Sequence, residues 1–259
     1  MPTNTSSVSD YKRDLATLLK YAQKYNDNDL WKFFIDRPHR CIDKWIHYFG
    51  VYEKWFKDFR GKDFVFVEIG VQNGGSVQMW KDYFGKNAKI IGVDIEERCK
   101  QFEDEQVTIE IGSQEDVEFW DKFKEKYPKV DILLDDGGHT MNQQIVTFKC
   151  MFPHIQEGGI YMCEDTHTSY VDFDPQYNGG NFNDTKNNYM GFAKTFIDMV
   201  NAPHSFGKIP VTYESLHMGG VHFYESIVVI EKEKRIVGPL AFKIGEMGKV
   251  IPFEDTIQL

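Results

Sequence analysis

The sequence predicts an α/β fold: a Rossmann-like, seven-stranded and mostly parallel sheet with an antiparallel C-terminal hairpin and an N-terminal helical extension. Apolar runs of strand length alternate with segments of helical periodicity between residues 64 and 163, a pattern typical of βαβ units whose helices cover both faces of a sheet. Two polar clusters follow two of the apolar runs. In a parallel sheet both clusters lie at the carboxyl ends of strands, where such folds bind ligands.

The alternating part of the chain contains five predicted strands and three predicted helices. The strands are short apolar runs that span 64–67, 89–93, 107–111, 130–134 and 160–163. The helices have apolar residues at helical spacing and span 76–84, 117–127 and 143–152. A further helix is predicted over 189–200, and the strands 213–218 and 222–230 are predicted to form the closing hairpin around a Gly219-Gly220 turn.

Three regions follow from this pattern. Residues 1–61 are an aromatic-rich helical region, with helical spacing from Asp10 to Arg60 and an interruption at 36–38. We predict that it covers the sheet or an oligomer interface, with a wall of the substrate pocket as the alternative. Residues 62–232 form the core, in which the long polar loop 167–188 is interpreted as a substrate-contacting lid. Residues 233–259 are a C-terminal extension without assigned structure.

Composition limits the partners. The 259 residues, 41% of them hydrophobic, suit one large domain, and the net charge of −10 argues against nucleic acid or an anionic membrane as the main partner. The first residues show neither the basic nor the apolar part of a leader peptide, and no apolar run approaches the roughly 18 residues of a membrane span. We therefore expect a cytoplasmic protein that acts on a small molecule and forms a homo-oligomer.

The polar clusters are Asp135-Asp136-Gly137-Gly138-His139 and Glu164-Asp165-Thr166-His167. Three or four carboxylates and up to two histidines would meet where the strands end. Like charges at this density cost free energy unless a cation or a shared proton compensates them. The residues alone therefore predict a metal site.

A glycine-rich turn, residues 68–76, joins the first strand to a helix, and the second strand ends in Asp94. Glycines let the backbone approach a ligand, and an acid at this place can accept hydrogen bonds from ribose hydroxyls. The chain lacks a P-loop motif, and its glycine spacing differs from that of a dinucleotide site. The negative charge of Glu68 would repel the pyrophosphate of a dinucleotide, whereas it would attract an ammonium or sulfonium group. S-adenosylmethionine carries such groups and is therefore the predicted ligand.

Five motifs occur in one order and carry a resemblance. They are Glu-Ile-Gly-x-x-x-Gly-Gly-Ser at 68–76, Gly-Val-Asp-Ile at 92–95, Gly-Ser-Gln-Glu-Asp at 112–116, Asp-Asp-Gly-Gly-His at 135–139 and Glu-Asp-Thr-His-Thr-Ser-Tyr at 164–170. The series resembles the class I S-adenosylmethionine-dependent methyltransferases, specifically the metal-dependent sugar O-methyltransferases of macrolide tailoring and the related capsule heptose O-methyltransferases. The resemblance extends over about residues 62–232.

The resemblance implies a cofactor site made from matched positions. Its residues are Glu68, Gly70, Gly75 and Ser76 around the methionine part, Asp94 and Ile95 at the ribose hydroxyls, Ser113 and Gln114 at the adenine, and Asp135 closing the cofactor side.

The resemblance also implies that Asp136, Glu164 and Asp165 bind a metal and that His139 is the general base. Three carboxylates favour Mg²⁺, or Mn²⁺, over zinc. The metal would orient and polarise two vicinal hydroxyls of a sugar, expected to be a nucleotide-linked heptose or hexose, while His139 removes the proton as oxygen attacks the methyl group.

Two further residues are predicted to contact the substrate. His167 could instead hold Asp165 or bind the metal, and Tyr170 could stack on a sugar or anchor the lid.

Three alternatives stay open at this point. The first is a non-haem metal-dependent hydroxylase in which His139, His167 and one acid, Glu164 or Asp165, form a two-histidine, one-carboxylate triad. The second is a methyltransferase that acts on a catechol or another vicinal diol. The third is a module that binds the cofactor without turnover.

Overall fold

The computed structural model describes residues 15–36, 39–172, 174–180, 187–236, 243–244 and 250–251. Its main sheet has seven strands in the order β3-β2-β1-β4-β5-β7-β6. The strands are β1 Val65–Ile69, β2 Lys89–Asp94, β3 Val107–Ile111, β4 Val130–Asp135, β5 Ile155–Cys163, β6 Met218–Tyr224 and β7 Ile227–Lys232. The first five are parallel, whereas β7 pairs antiparallel with both β5 and β6. The predicted fold class is therefore confirmed.

Helices cover both faces of this sheet. Their bounds are α1 Leu15–Ala22, α2 Asp29–Asp36, α3 Tyr48–Phe56, α4 Gly75–Phe84, α5 Val117–Lys126, α6 Met141–Met151, α7 Pro175–Asn178, α8 Tyr189–Asn201 and α9 Tyr213–His217. Apolar side chains of α2, α3 and α4 pack on one face, and those of α5, α6 and α8 pack on the other.

Strand periodicity decides which face each residue meets. Successive side chains of a strand point to opposite faces. Met162 therefore packs on the face of α3 and α4, and Cys163 packs on the face of α6 and α8. The same alternation continues past the end of β5 and turns Glu164 toward the face of α3 and α4. Glu164 contacts the N-terminal helices through Tyr52.

The N-terminal region covers the sheet, as predicted, and half of the aromatic side chains that the structure describes there are buried. Trp31, Phe49, Tyr52 and Phe56 belong to the core on this face. The helical prediction is wrong for part of the region, because residues 39–47 form no helix and Trp45 precedes the start of α3. This irregular segment runs past the carboxyl ends of the strands.

The predicted turn at Gly219-Gly220 is also wrong. Both glycines lie inside β6, and residues 213–217 form α9, whose first turn is capped by reciprocal hydrogen bonds between Thr212 and Ser215. The chain reverses between the paired residues Tyr224 and Ile227 instead. Helix capping and sheet pairing outweigh the local preference of two glycines for a turn.

The loop after β5 contains short helical turns, Thr166–Tyr170 and α7. Residue 173 and residues 181–186 of the predicted lid lie outside the described residues, so its movement stays a prediction. In the C-terminal extension, β8 Lys243–Ile244 pairs with β9 Val250–Ile251. Among the described residues, no helix is long and apolar enough to cross a membrane.

Candidate active site

A cavity of about 370 Å³ opens at the carboxyl ends of the parallel strands. Eleven of the fifteen predicted site residues line it. They are Gly70, Gly75, Ser76, Asp94, Ile95, Ser113, Gln114, Asp136, His139, Glu164 and Asp165. The structure thus brings the cofactor motif and both polar clusters into one cavity.

The glycine-rich turn requires glycine at two positions where backbone segments approach closely. Gly70 has a φ of +90°, and a Cβ atom there would lie 1.9 Å from the carbonyl oxygen of Asp136. A Cβ on Gly75 would lie 2.2 Å from the carbonyl oxygen of Cys41. The turn therefore packs directly against the first polar cluster and the irregular N-terminal segment.

Glu68 lies behind the cavity wall and does not line it. Its carboxylate accepts hydrogen bonds from Ser76 Oγ at 2.8 Å and Trp80 Nε1 at 2.9 Å. Burial raises the pKa of Glu68 to about 7, although Lys44 opposes the shift. The residue anchors the first turns of α4, and direct contact with a cofactor stays a prediction.

Asp94 lines the cavity and ties the glycine-rich turn to the end of β2. Its Oδ2 accepts hydrogen bonds from the backbone N–H groups of Val71 and Gln72, both at 2.9 Å, and its Oδ1 accepts one from Glu96 N at 2.9 Å. These bonds orient the carboxylate at the cavity edge, where an acid that binds a ribose is expected.

Gln114 connects the adenine side of the cavity with the first polar cluster. Its Nε2 donates to Asp135 Oδ1 at 2.9 Å, and its Oε1 accepts from Gly138 N at 2.8 Å. Asp135 is buried beneath this bridge and does not line the cavity, and burial raises its pKa to about 6. Gln114 and Asp135 together hold the backbone of Gly137 and Gly138 in place. Ser113, which precedes Gln114, lines the cavity and is half-buried.

Asp136, His139 and Asp165 form the candidate metal and acid–base group. One potential ligand atom from each lies within 4.8 Å of the others. His139 Nε2 is 3.3 Å from Asp165 Oδ2 and 3.9 Å from Asp136 Oδ1, while its buried Nδ1 has no hydrogen-bond partner among the described residues. His139 and Asp165 have positive φ values of 60° and 51°. Non-glycine residues in this conformation cost about 1–3 kcal/mol each and cluster at functional sites.

Glu164, the third predicted carboxylate ligand, is fully buried and bonded on both oxygens. Oε1 accepts a hydrogen bond from Tyr52 OH, and Oε2 accepts one from Lys44 Nζ at 2.9 Å. Lys44 also donates to Asp136 Oδ2, and Tyr48 OH donates to Asp165 Oδ1 at 2.6 Å. Each of the three carboxylates predicted to bind metal therefore contacts the N-terminal region.

Sequence reasoning missed Lys44, Tyr48 and Tyr52. The aromatic richness of the N-terminal region hinted at a wall of the pocket, but no local pattern distinguishes Lys44 from the other lysines of the chain. Only the packing of the N-terminal region against the strand ends brings these residues to the site.

The charges of this group are not balanced. Burial raises the pKa of Glu164 to about 8, although Lys44 opposes the shift. Burial alone would lower the pKa of Lys44, but Asp136 and Glu164 raise it above the ordinary lysine value. Asp136, Glu164 and Asp165 carry three negative charges when ionised, and one ammonium leaves two of them uncompensated. A hard divalent cation fits this donor set.

The two predicted substrate residues do not line the cavity. His167 Nδ1 lies 2.6 Å from Ser226 Oγ, and its ring packs 4.6 Å from that of Trp45. Burial lowers its pKa. It is not part of the group of close ligand atoms formed by His139 and the two aspartates, so the two-histidine arrangement of a non-haem iron site is not present. Tyr170 is 45% exposed.

The fold and the arrangement of the site are those of the class I S-adenosylmethionine-dependent methyltransferases. Residues 67–166 match the family model described as a methyltransferase domain. The chain is similar to the methyltransferase MycE of the mycinamycin biosynthetic pathway, whose crystal structure is a complex with Mg and SAH. The TM-score is 0.68 at 27% identity, over 80% of this chain and 54% of that one.

Its homologues with named activities are sugar O-methyltransferases of macrolide and tetracenomycin pathways. Demethylmacrocin O-methyltransferase of Streptomyces fradiae is 31% identical over 73% of this chain and 50% of that protein. The 8-demethyl-8-alpha-L-rhamnosyl tetracenomycin-C 2'-O-methyltransferase of Streptomyces olivaceus is 32% identical over 73% and 52%. The chain spans about half the length of these curated relatives.

Proposed function

We propose that this protein is a Mg²⁺-dependent O-methyltransferase that moves the methyl group of S-adenosylmethionine to a sugar hydroxyl. One observation carries the proposal: the glycine-rich turn and the group Asp136, His139 and Asp165 line the same cavity. A methyl donor and an acceptor hydroxyl could therefore meet between them. Holding two reactants in this way is worth about 7–11 kcal/mol of barrier lowering.

The cofactor would occupy the side of the cavity formed by the glycine-rich turn, Asp94 and Ser113. Asp94 is oriented by three backbone N–H groups, which supports its assignment to the ribose hydroxyls. Glu68 and Asp135 support this side from behind: Glu68 accepts a hydrogen bond from Ser76, and Asp135 accepts one from Gln114, which lines the cavity beside Ser113.

Asp136, Glu164 and Asp165 are the residues that would hold Mg²⁺. The unbalanced negative charge of the group and its oxygen donors fit this ion, and Mn²⁺ has the same preferences. When bound, the ion supplies Lewis-acid polarisation and orientation of the acceptor hydroxyls.

His139 would accept the hydroxyl proton at Nε2. This nitrogen faces Asp165 at 3.3 Å and Asp136 at 3.9 Å, whereas Nδ1 is buried. A positioned base of this kind contributes about 10²–10⁴-fold in rate.

The acceptor is proposed as a sugar because the homologues act on sugar-bearing small molecules. The finer expectation, a nucleotide-linked heptose or hexose, rests on the resemblance to capsule heptose O-methyltransferases alone. Substrate contacts of His167 and Tyr170 would require the lid to move, because neither residue lines the cavity.

Incubation of the protein with S-adenosylmethionine, Mg²⁺ and a panel of acceptors tests the proposal by mass spectrometry. The panel contains macrolide glycosides, nucleotide-linked heptoses and hexoses, and a catechol. We expect a product heavier by one methyl group with a sugar acceptor, and no product in excess chelator until Mg²⁺ is restored. Full activity in chelator would overturn the metal role, and methylation of the catechol alone would overturn the sugar acceptor.

A further inference from the structure

Lys44 is a buried cation inside the carboxylate group. Its side chain is 2% exposed, and Nζ donates to Asp136 Oδ2 and to Glu164 Oε2. Two of the three carboxylates assigned to the metal are thus already paired with a cation that belongs to the chain. A divalent ion that binds to the same oxygens would be repelled by the ammonium.

The position of Lys44 allows it to move. It lies in the irregular segment 39–47, and residues 41–45 line the cavity directly. A lysine carries its charge on a flexible four-carbon stem, so Nζ can leave two oxygens without displacement of the backbone. Tyr48 and Tyr52, by contrast, are held in the packed helix α3.

We propose that Lys44 is an exchangeable counter-ion, which neutralises Asp136 and Glu164 in the metal-free protein and leaves them when Mg²⁺ binds. The inference rests on the proposed function, because it concerns the same metal. Lys44 would keep the metal-free site folded and would lower the affinity for the ion, since each Mg²⁺ must displace it. It is a positioning residue and takes no part in methyl transfer.

Calorimetric titration of Mg²⁺ into the metal-free full chain tests this competition. Lys44→Met removes the charge at similar size, and Lys54→Met is the matched control, because Lys54 lies on α3 and bonds to Tyr224 OH away from the carboxylates. We expect Lys44→Met to bind Mg²⁺ at least about tenfold more tightly than the wild type, since loss of a nearby like charge favours a cation. Lys54→Met should bind as the wild type does.

A purely structural role would give the opposite sign. If Lys44 only held the site together, Lys44→Met would bind Mg²⁺ more weakly, and this result or an unchanged affinity would overturn the inference. Thermal unfolding gives a second readout. Lys44→Met should unfold at a lower temperature than the wild type in chelator, and Mg²⁺ should raise its unfolding temperature by more than that of the wild type.

Amine labelling of the wild type decides the question if Lys44→Met does not fold. Reductive methylation followed by mass spectrometry should label Lys44 slowly in chelator and faster in Mg²⁺. Lys232, also buried but bonded to Phe152 O and Tyr213 OH, is the internal control and should not respond. Unchanged labelling of Lys44 would overturn the inference alone, whereas absence of Mg²⁺ binding to every variant would overturn the metal role as well.

Discussion

The two sides of the cavity are built differently. On the cofactor side, Asp94 bonds to Val71 and Gln72, which are 23 and 22 positions away, and Glu68 bonds to Ser76, which is 8 positions away. On the carboxylate side, Lys44 bonds to Asp136 and Glu164 across 92 and 120 positions. The cofactor side is formed largely within neighbouring βα units, whereas the carboxylate side requires the N-terminal region to pack against the strand ends.

This difference means that the two sides can fail separately. Loss of a group on the carboxylate side should impair methyl transfer or metal binding and leave the cofactor bound. The cofactor side has little such independence, because the glycine-rich turn touches both the first polar cluster and the N-terminal segment. Three substitutions test this expectation, and a fourth provides a comparison away from the cavity.

The largest effect is expected from His139→Ala. Removal of the proposed base should lower kcat by about 10²–10⁴-fold. The affinity for S-adenosylmethionine, measured by calorimetry, should stay within about twofold of the wild type, because the side chain of His139 faces Asp136 and Asp165 on the other side of the cavity. An equal loss of cofactor binding would show that the two sides are not separable.

Gly70→Ala should break both sides. The substitution adds a Cβ against the carbonyl of Asp136 at a residue with positive φ, and we expect a loss of about 2–4 kcal/mol in the free energy of unfolding together with weaker cofactor binding. Gly61→Ala is the matched control, since Gly61 has a φ of +73° and nothing within 4 Å of its Cβ position. Equal losses in denaturant titrations would mean that the contact with the first polar cluster is unimportant.

Tyr52→Phe should weaken only the carboxylate side. The hydroxyl is a hydrogen-bond donor to buried Glu164, and its loss leaves a buried acceptor short of one partner, which costs about 1–3 kcal/mol. Tyr83→Phe removes a bond of the same kind to partly buried Glu53 and should cost less. Denaturant unfolding compares the two variants, and cofactor affinity should be unchanged in both.

The smallest effect concerns the other buried lysine. Burial lowers the pKa of Lys232 to about 8 from the ordinary lysine value of 10.5, and in the described part of the chain no carboxylate accepts a hydrogen bond from its Nζ. Between these values the unfolded chain holds a proton that the folded chain lacks, so the free energy of unfolding rises with pH, by at most about 1.4 kcal/mol per pH unit. Lys232→Met should flatten this rise when unfolding is followed from pH 7 to pH 11. An unchanged slope would contradict the assignment.

Most of the architecture follows from periodicity. The predicted strands 89–93 and 107–111 correspond to β2 and β3, and the helix 117–127 corresponds to α5 within one residue. Local pattern fails where tertiary contacts compete with it. The Gly219-Gly220 turn was expected from composition, but pairing of β6 with β7 and the capped helix α9 place the reversal at Glu225-Ser226.

Between residues 64 and 163, the sequence by itself determined the order of strands and helices, the glycine-rich turn with Asp94, and the two polar clusters at strand ends. These features depend on residues close along the chain. Only the tertiary structure decided that Glu68 and Asp135 support the cavity from behind, and that Lys44, Tyr48 and Tyr52 reach the carboxylates. The physical reason is that alternation along a strand predicts opposite faces, but it does not say which distant segment will cover each of them.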